Sequence, residues 1–183
     1  VLNDLATLPT TPLINGLPYK KDVPIYEFDL KKSAEYMKKA WGGKVWKEGF
    51  EMIITYNTGR EEREAAAIML KENIESLNPK FHIEVRNVEW KDYMVDIRAY
   101  KHPVFIIGWG ADYPDPHNFM YPYMSSNGTY GKFMAYNNPE VDGLLKVGIE
   151  NVDPKVRADA YAKLQKIWYE DALGIALFQP VEL

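Results

Sequence analysis

Between Phe50 and Gly108 the hydrophobic period of this chain switches back and forth between strand-like and helix-like, and few folds accommodate that order. Phe50–Tyr56 carries Met52, Ile53 and Ile54 as a run rather than an alternation, which suits a strand covered on both faces. From Glu61 to about Leu77 the pattern is helical. Its first turn is acidic, as the helix dipole prefers, and Ala67, Leu70, Ile74 and Leu77 fall inward. His82–Val88 reads as a second strand, Trp90–Tyr100 as a short helix and Val104–Gly108 as a third, strongly apolar strand. Strand, helix, strand, helix, strand predicts an α/β domain with a largely parallel sheet and helices packed on it.

The flanks read differently. Residues 1–24 form an extended segment punctuated by Pro9, Pro12, Pro18 and Pro24, which keep the residues before them out of the helical region. The remaining 25–183 carry the α/β pattern. A helix is expected from Asp29, a good N-cap, to Trp41, with Leu30, Ala34, Met37 and Trp41 on one face and Gly42-Gly43 as its stop. Gly108–Ala135 is irregular and aromatic, with a helical possibility only around His117–Tyr123. Helices are then expected over Pro139–Glu150 and Pro154–Ala172, the second presenting Val156, Ala160, Leu164, Ile167 and Trp168 on one face. A last short strand is expected at Ile175–Phe178.

Composition removes several function classes. A net charge of −4 gives no basic face for nucleic acid. No apolar run is long enough to span a membrane, and Val1-Leu2-Asn3-Asp4 does not open like a signal peptide. Cysteine is absent, which excludes disulfides, thiolate nucleophiles and thiolate metal sites but leaves the compartment open. His82, His102 and His117 are scattered, and no G-x-S-x-G elbow, P-loop or G-x-G-x-x-G occurs. Neither catalysis nor a cofactor is expected.

The long stretch after the third strand holds the candidate site. Loops of that length inside a compact domain are usually functional, and open α/β sheets bind ligands beyond the carboxyl ends of their strands. It begins Gly108-Trp109-Gly110-Ala111-Asp112-Tyr113-Pro114-Asp115-Pro116-His117-Asn118-Phe119. Asp115 precedes a proline at the start of a helical stretch and reads as its cap. Asp112 has no such structural duty, although an Asx-type turn would also explain it. Asp112, Asp115 and His117 could offer oxygen and nitrogen to a metal, but two of them are taken up at the helix start.

Gly-Trp-Gly-Ala-Asp-Tyr-Pro-Asp-Pro at 108–116 resembles a signature of the extracytoplasmic solute-binding proteins of the oligopeptide and dipeptide type. Further likenesses lie in order along the chain, at Tyr26-Glu27-Phe28-Asp29-Leu30-Lys31-Lys32-Ser33-Ala34, at Glu89-Trp90-Lys91-Asp92-Tyr93 and at Tyr136-Asn137-Asn138-Pro139-Glu140-Val141-Asp142. The resemblance implies one lobe of a type II periplasmic-binding-protein-like fold, in which two lobes close on a ligand and the loaded protein docks on the membrane permease of an ABC importer. It implies an extracytoplasmic location, a second lobe outside this chain, and 1–24 as a stretch running in from that lobe.

It also implies that Asp112 pairs with the α-ammonium group of a bound peptide, with Trp109, Gly110, Ala111 and Tyr113 around it. Some peptide binders of the family carry an arginine shortly before the tryptophan, where this chain has Phe105-Ile106-Ile107. Other members take oligosaccharides, and Tyr113, Phe119, Tyr121, Tyr123, Tyr130, Phe133 and Tyr136 would suit stacking on sugars; ordinary packing is the alternative for each.

Overall fold

The structure, a computed structural model, describes residues 6–180. These fall into two compact units, one of residues 27–108 and one that joins 6–26 to 109–180.

The first unit is the region of alternating pattern. Helix α1 (Leu30–Lys39) starts where Asp29 accepts from the Lys32 backbone N–H at 2.9 Å. It ends two residues earlier than expected. Trp41 adopts a left-handed backbone with φ 49° in the 3-10 turn Ala40–Gly43, so its side chain is 84% exposed rather than on the inward face. A short helix, α2 (Lys44–Glu48), follows, and its Trp46 packs edge-on against Phe81.

Strand β2 (Phe50–Asn57), helix α3 (Glu61–Leu77), strand β3 (Phe81–Val88), helix α4 (Trp90–Arg98) and strand β4 (Val104–Ile106) then alternate as the hydrophobic periods require. The sheet is parallel throughout, in the order β3-β2-β4, with Phe50 opposite Phe81 and Ile54 opposite Val104. Ile54, Tyr56, Ala67, Phe81, Ile83, Tyr93, Ile97 and Ile106 form its buried core. Burial of each large apolar side chain contributes roughly 1.5–3 kcal/mol. Strand β4 is short, and the Tyr93 hydroxyl ties it down by donating to the Ile106 carbonyl at 2.9 Å.

The second unit is helical. It contains α5 (Pro116–Met124), α6 (Thr129–Phe133), α7 (Pro139–Glu150) and α8 (Pro154–Glu170). Three of these begin in the same way, with Asp115, Asn138 or Asp153 as cap and proline in the first turn. Leu13 of the N-terminal segment is buried with Phe119, Met120, Met124, Val141, Leu145, Tyr161, Leu164 and Trp168. The extended segment is therefore part of this core.

The last strand is displaced from its expected position. Ile175 is 71% exposed, and 173–178 has no ladder. Pairing begins only where β1 (Ala6–Thr7) meets β5 (Gln179–Pro180) in antiparallel register, because an apolar run without a neighbouring strand has no partner for its backbone. Gln179 reinforces this by accepting from the Asn15 N–H at 2.8 Å and donating to the Asn15 carbonyl at 3.3 Å.

Helix α6 was not expected. Its sequence, Gly128-Thr-Tyr-Gly131 after two serines, has the composition of a turn. Both glycines serve close packing instead. A Cβ at Gly128 would lie 2.2 Å from the Tyr121 carbonyl oxygen, and one at Gly131 only 2.0 Å from that of Ser125. The turn is also pinned to α7. Asp142 accepts from the Ser125 hydroxyl at 2.9 Å, from the Ser126 backbone N–H at 3.0 Å and from the Ser126 hydroxyl. Burial opposes ionisation of Asp142, but the Ser126 and Ser125 hydrogen bonds outweigh it and hold the carboxyl below its ordinary value.

Candidate functional site

The loop between β4 and α5 is fixed at intervals, and those fixed points decide which side chains are left free. At its start, Gly108 lies close to Arg63, whose Nη2 would stand 2.9 Å from an added Cβ and would have to shift for one. Trp109 packs against the helical core. Its indole N–H donates to Asn118 Oδ1 at 3.2 Å, and its ring meets Tyr130 edge-on with centroids 5.7 Å apart. Ala111 also packs on that core. Gly110, Asp112 and Tyr113 are exposed, with Tyr113 at 50%. The backbone then turns tightly, the Asp115 N–H donating to the Tyr113 carbonyl at 2.9 Å.

Asp115 does what its position before Pro116 predicts, and more. One carboxylate oxygen caps α5 by accepting from the His117 N–H at 2.8 Å, while the other accepts from Arg157 Nη2 at 2.7 Å. The hydrogen bond to Asp115 raises the Arg157 pKa further above its ordinary value. His117 sits at the same helix start with its ring beside Tyr121, and burial, outweighing the Asp115 charge, lowers its pKa.

Asp112 contrasts with this. It is exposed and makes no hydrogen bond or ion pair with any described residue. Its two neighbours in the pattern, Trp109 and Asp115, are both tied down, so a free carboxylate stands on a loop of fixed course. Among the described residues no group of His, Cys, Asp and Glu side chains is arranged to hold a metal ion.

Most of the aromatic side chains considered for sugar stacking are engaged in packing. Phe119 and Tyr130 are buried; Tyr123 lies against Tyr130 and Trp168; Phe133 lies against Tyr130. The Tyr136 hydroxyl donates to Asp171 Oδ2 at 2.7 Å; burial first, and that hydrogen bond second, push its pKa up to about 12. Only Tyr113 among them is as much as half exposed. Arg157, which sequence reasoning did not single out, lies 42 residues from its partner, and nothing local in the sequence marks the pairing. A groove of about 640 Å³ between α3 and β3, lined by Tyr56, Ile68, Ile83 and charged neighbours, includes none of the loop residues.

The first unit is thus a parallel α/β sheet whose last strand leads into a loop bearing a free carboxylate. Residues 1–131 match the model for the middle segment of family 5 of the bacterial extracellular solute-binding proteins, and the chain belongs to that family. It is 34% identical over 133 residues to the periplasmic oligopeptide-binding protein OppA of Haemophilus influenzae, a match covering 70% of this chain and 23% of that protein. It is 25% identical over 174 residues to a probable di/tripeptide-binding protein of Pseudomonas aeruginosa, covering 91% and 31% respectively.

Among solved structures, the periplasmic binding protein DppA of Helicobacter pylori, in complex with the peptide STSA, superposes with a TM-score of 0.83 at 24% identity, over 96% of this chain and 34% of that one. The H. influenzae OppA complex with RPPGFSPFR gives 0.66 at 30% identity, over 81% and 28%. The fold expected from the sequence, α/β in the manner of type II periplasmic binding proteins, is thus the observed one. The chain spans about a quarter to a third of the length of these relatives.

Proposed function

We propose that the complete protein carrying this chain captures peptides outside the cytoplasm and delivers them to the membrane permease of an ABC importer, without chemical change to the ligand. In this reading residues 25–183 supply one side of the binding site, the other lobe is encoded outside this chain, and 1–24 runs in from it. Asp112 receives the peptide's α-ammonium group, with Tyr113 and Gly110 exposed beside it and Trp109 and Ala111 fixing the loop beneath.

The observation that carries this reading is the free carboxylate of Asp112 on a loop anchored on either side of it by Trp109 and Asp115. A carboxylate with no internal partner is available for a cation, and a charge-assisted hydrogen bond in an enclosed site contributes about 1.5–3 kcal/mol. The relatives, an oligopeptide-binding and a probable di/tripeptide-binding protein, suggest the chemical class of that cation. Isothermal titration of the complete protein with alanine di- to pentapeptides and with malto-oligosaccharides tests it. Binding of peptide without its consumption is expected. Binding of the sugars alone, or hydrolysis of the peptides by the pure protein, would sink the reading.

A further inference from the structure

Asp115 makes more contacts than a helix cap needs. Capping uses one oxygen; the other reaches Arg157, in the first turn of α8. The remaining contacts of Arg157 are equally definite. Its Nε donates to the Gly148 carbonyl on α7 at 2.8 Å. Its guanidinium carbon lies 5.3 Å from the ring centre of Tyr19 and 5.8 Å from that of Tyr161, two rings that are nearly parallel.

Tyr19 holds a left-handed backbone with φ 65°, a conformation that a bulky side chain adopts only when its surroundings enforce it. Gln165, fully buried on α8, does so from the other side. Its Nε2 donates to the Tyr19 carbonyl at 3.0 Å, and its Oε1 accepts from the Lys21 N–H at 3.0 Å. One guanidinium therefore joins a strained turn of the N-terminal segment, two helices and the loop that carries Asp112.

We propose that Arg157 is a positioning residue for that loop: by holding Asp115 beside the Tyr19 turn it fixes where the Asp112 carboxylate stands, and so sets affinity for the ammonium end of a peptide without touching it. The proposal rests on the reading of Asp112 as the ammonium anchor. Exposed ion pairs contribute little, but this one is largely shielded, with side-chain exposures of 20% and 28%, and hydrogen-bonded at fixed geometry. The role also calls for arginine: separate Nε and Nη donors in a rigid fork reach α7 and Asp115 at once, which a lysine ammonium cannot do.

The test is a double-mutant cycle on the complete protein, titrated with a pool of alanine di- to pentapeptides. Asp115→Asn keeps the cap and loses the ion pair; Arg157→Met keeps an apolar stem beside the tyrosines. Each is expected to weaken binding about 10-fold, and to lose most of that effect in an Asp112→Asn background. Lys166→Met, which removes an exposed charge from the same helix, is expected to change nothing. Full additivity across the cycle, or unchanged affinity in both single variants, would overturn the positioning role. Failure of the anchor reading is separately visible: Asp112→Asn alone would bind as the parent does, or the parent would bind none of the pool, and the inference falls with it.

Discussion

In the 27–108 unit the strands form one parallel sheet around β2, and β2 and β3 pair along all 8 residues of each. The unit of 6–26 and 109–180 is held differently. The contacts that close it span 144 residues from Lys21 to Gln165, 146 from Tyr19 to Gln165 and 164 from Asn15 to Gln179, and its described ladder is a pair of two-residue strands. The first unit distributes its stability over a repeating pattern, so one lost contact removes a small part. In the second, single polar side chains and close approaches join distant pieces of chain around a shared apolar core, so losing one of them should be felt locally. The candidate ligand loop belongs to the second kind.

Local protection of backbone amides, measured by hydrogen exchange on the complete protein, can break this contrast or sharpen it. The largest effect is expected from Gly131→Ala, whose methyl group would collide with the Ser125 carbonyl. A cost on the order of 3–5 kcal/mol should strip protection from α5 to α7 while β2 and β3 keep theirs. Gly143→Ala is the control, since nothing lies within 4 Å of its added carbon and helix propensity should make it neutral or stabilising by up to ~1 kcal/mol. Equal effects at the two glycines would remove the distinction between packing and composition.

Gln165→Leu comes next. It orphans the Lys21 N–H and the Tyr19 carbonyl, at about 2–3 kcal/mol, and trypsin should cut at Lys20 and Lys21 sooner than in the parent. Unchanged cleavage would mean that the burial of Leu13 and the pairing with Gln179 hold the N-terminal segment without Gln165.

Asp142→Asn should cost about 1–2 kcal/mol near neutral pH by weakening the bonds to Ser125 and Ser126. The folded-state pKa of Asp142 is depressed, so its contribution is complete above the ordinary aspartate range, about pH 4, and is lost as pH falls through the lower folded value. The gap between parent and variant should therefore narrow in acid, and a gap that widened would contradict the assignment. The smallest effect belongs to the first unit. Tyr93→Phe removes the bond to Ile106 at about 1 kcal/mol, loosening β4 and leaving the β2–β3 ladder intact.

The same contrast explains what could be read in advance. The order β2-α3-β3-α4-β4 was legible because hydrophobic period reports on local structure, and the α3 bounds, Glu61 to Leu77, agree to the residue. The start of α5 was legible for the same reason, since the Asp115 cap acts on its own helix, and α7 and α8 begin at Pro139 and Pro154 as expected, although their caps Asn138 and Asp153 were not singled out. The course of the loop was only partly so. Asp115 could be assigned as a cap from Pro116, and Asp112 could be set apart by having no such duty.

The Arg157 partner, the Gln165 clasp and the glycine contacts of α6 depend on chain segments brought together only by folding, and no local rule marks them. The displaced end strand has the same cause: its partner, Ala6–Thr7, lies at the other end of the described chain. The family resemblance came from the order of four motifs along the chain, and the family match over residues 1–131 bears that resemblance out.

The central claim is that the free carboxylate of Asp112 meets a peptide's ammonium group. Its most direct test compares one peptide with its Nα-acetyl form, each titrated into the complete protein and into its Asp112→Asn variant. Acetylation should weaken binding to the parent by about 10- to 100-fold, from the loss of one charge-assisted bond, and should matter little to the variant. A parent that binds both forms alike, or a variant that discriminates between them as strongly as the parent, would contradict the account.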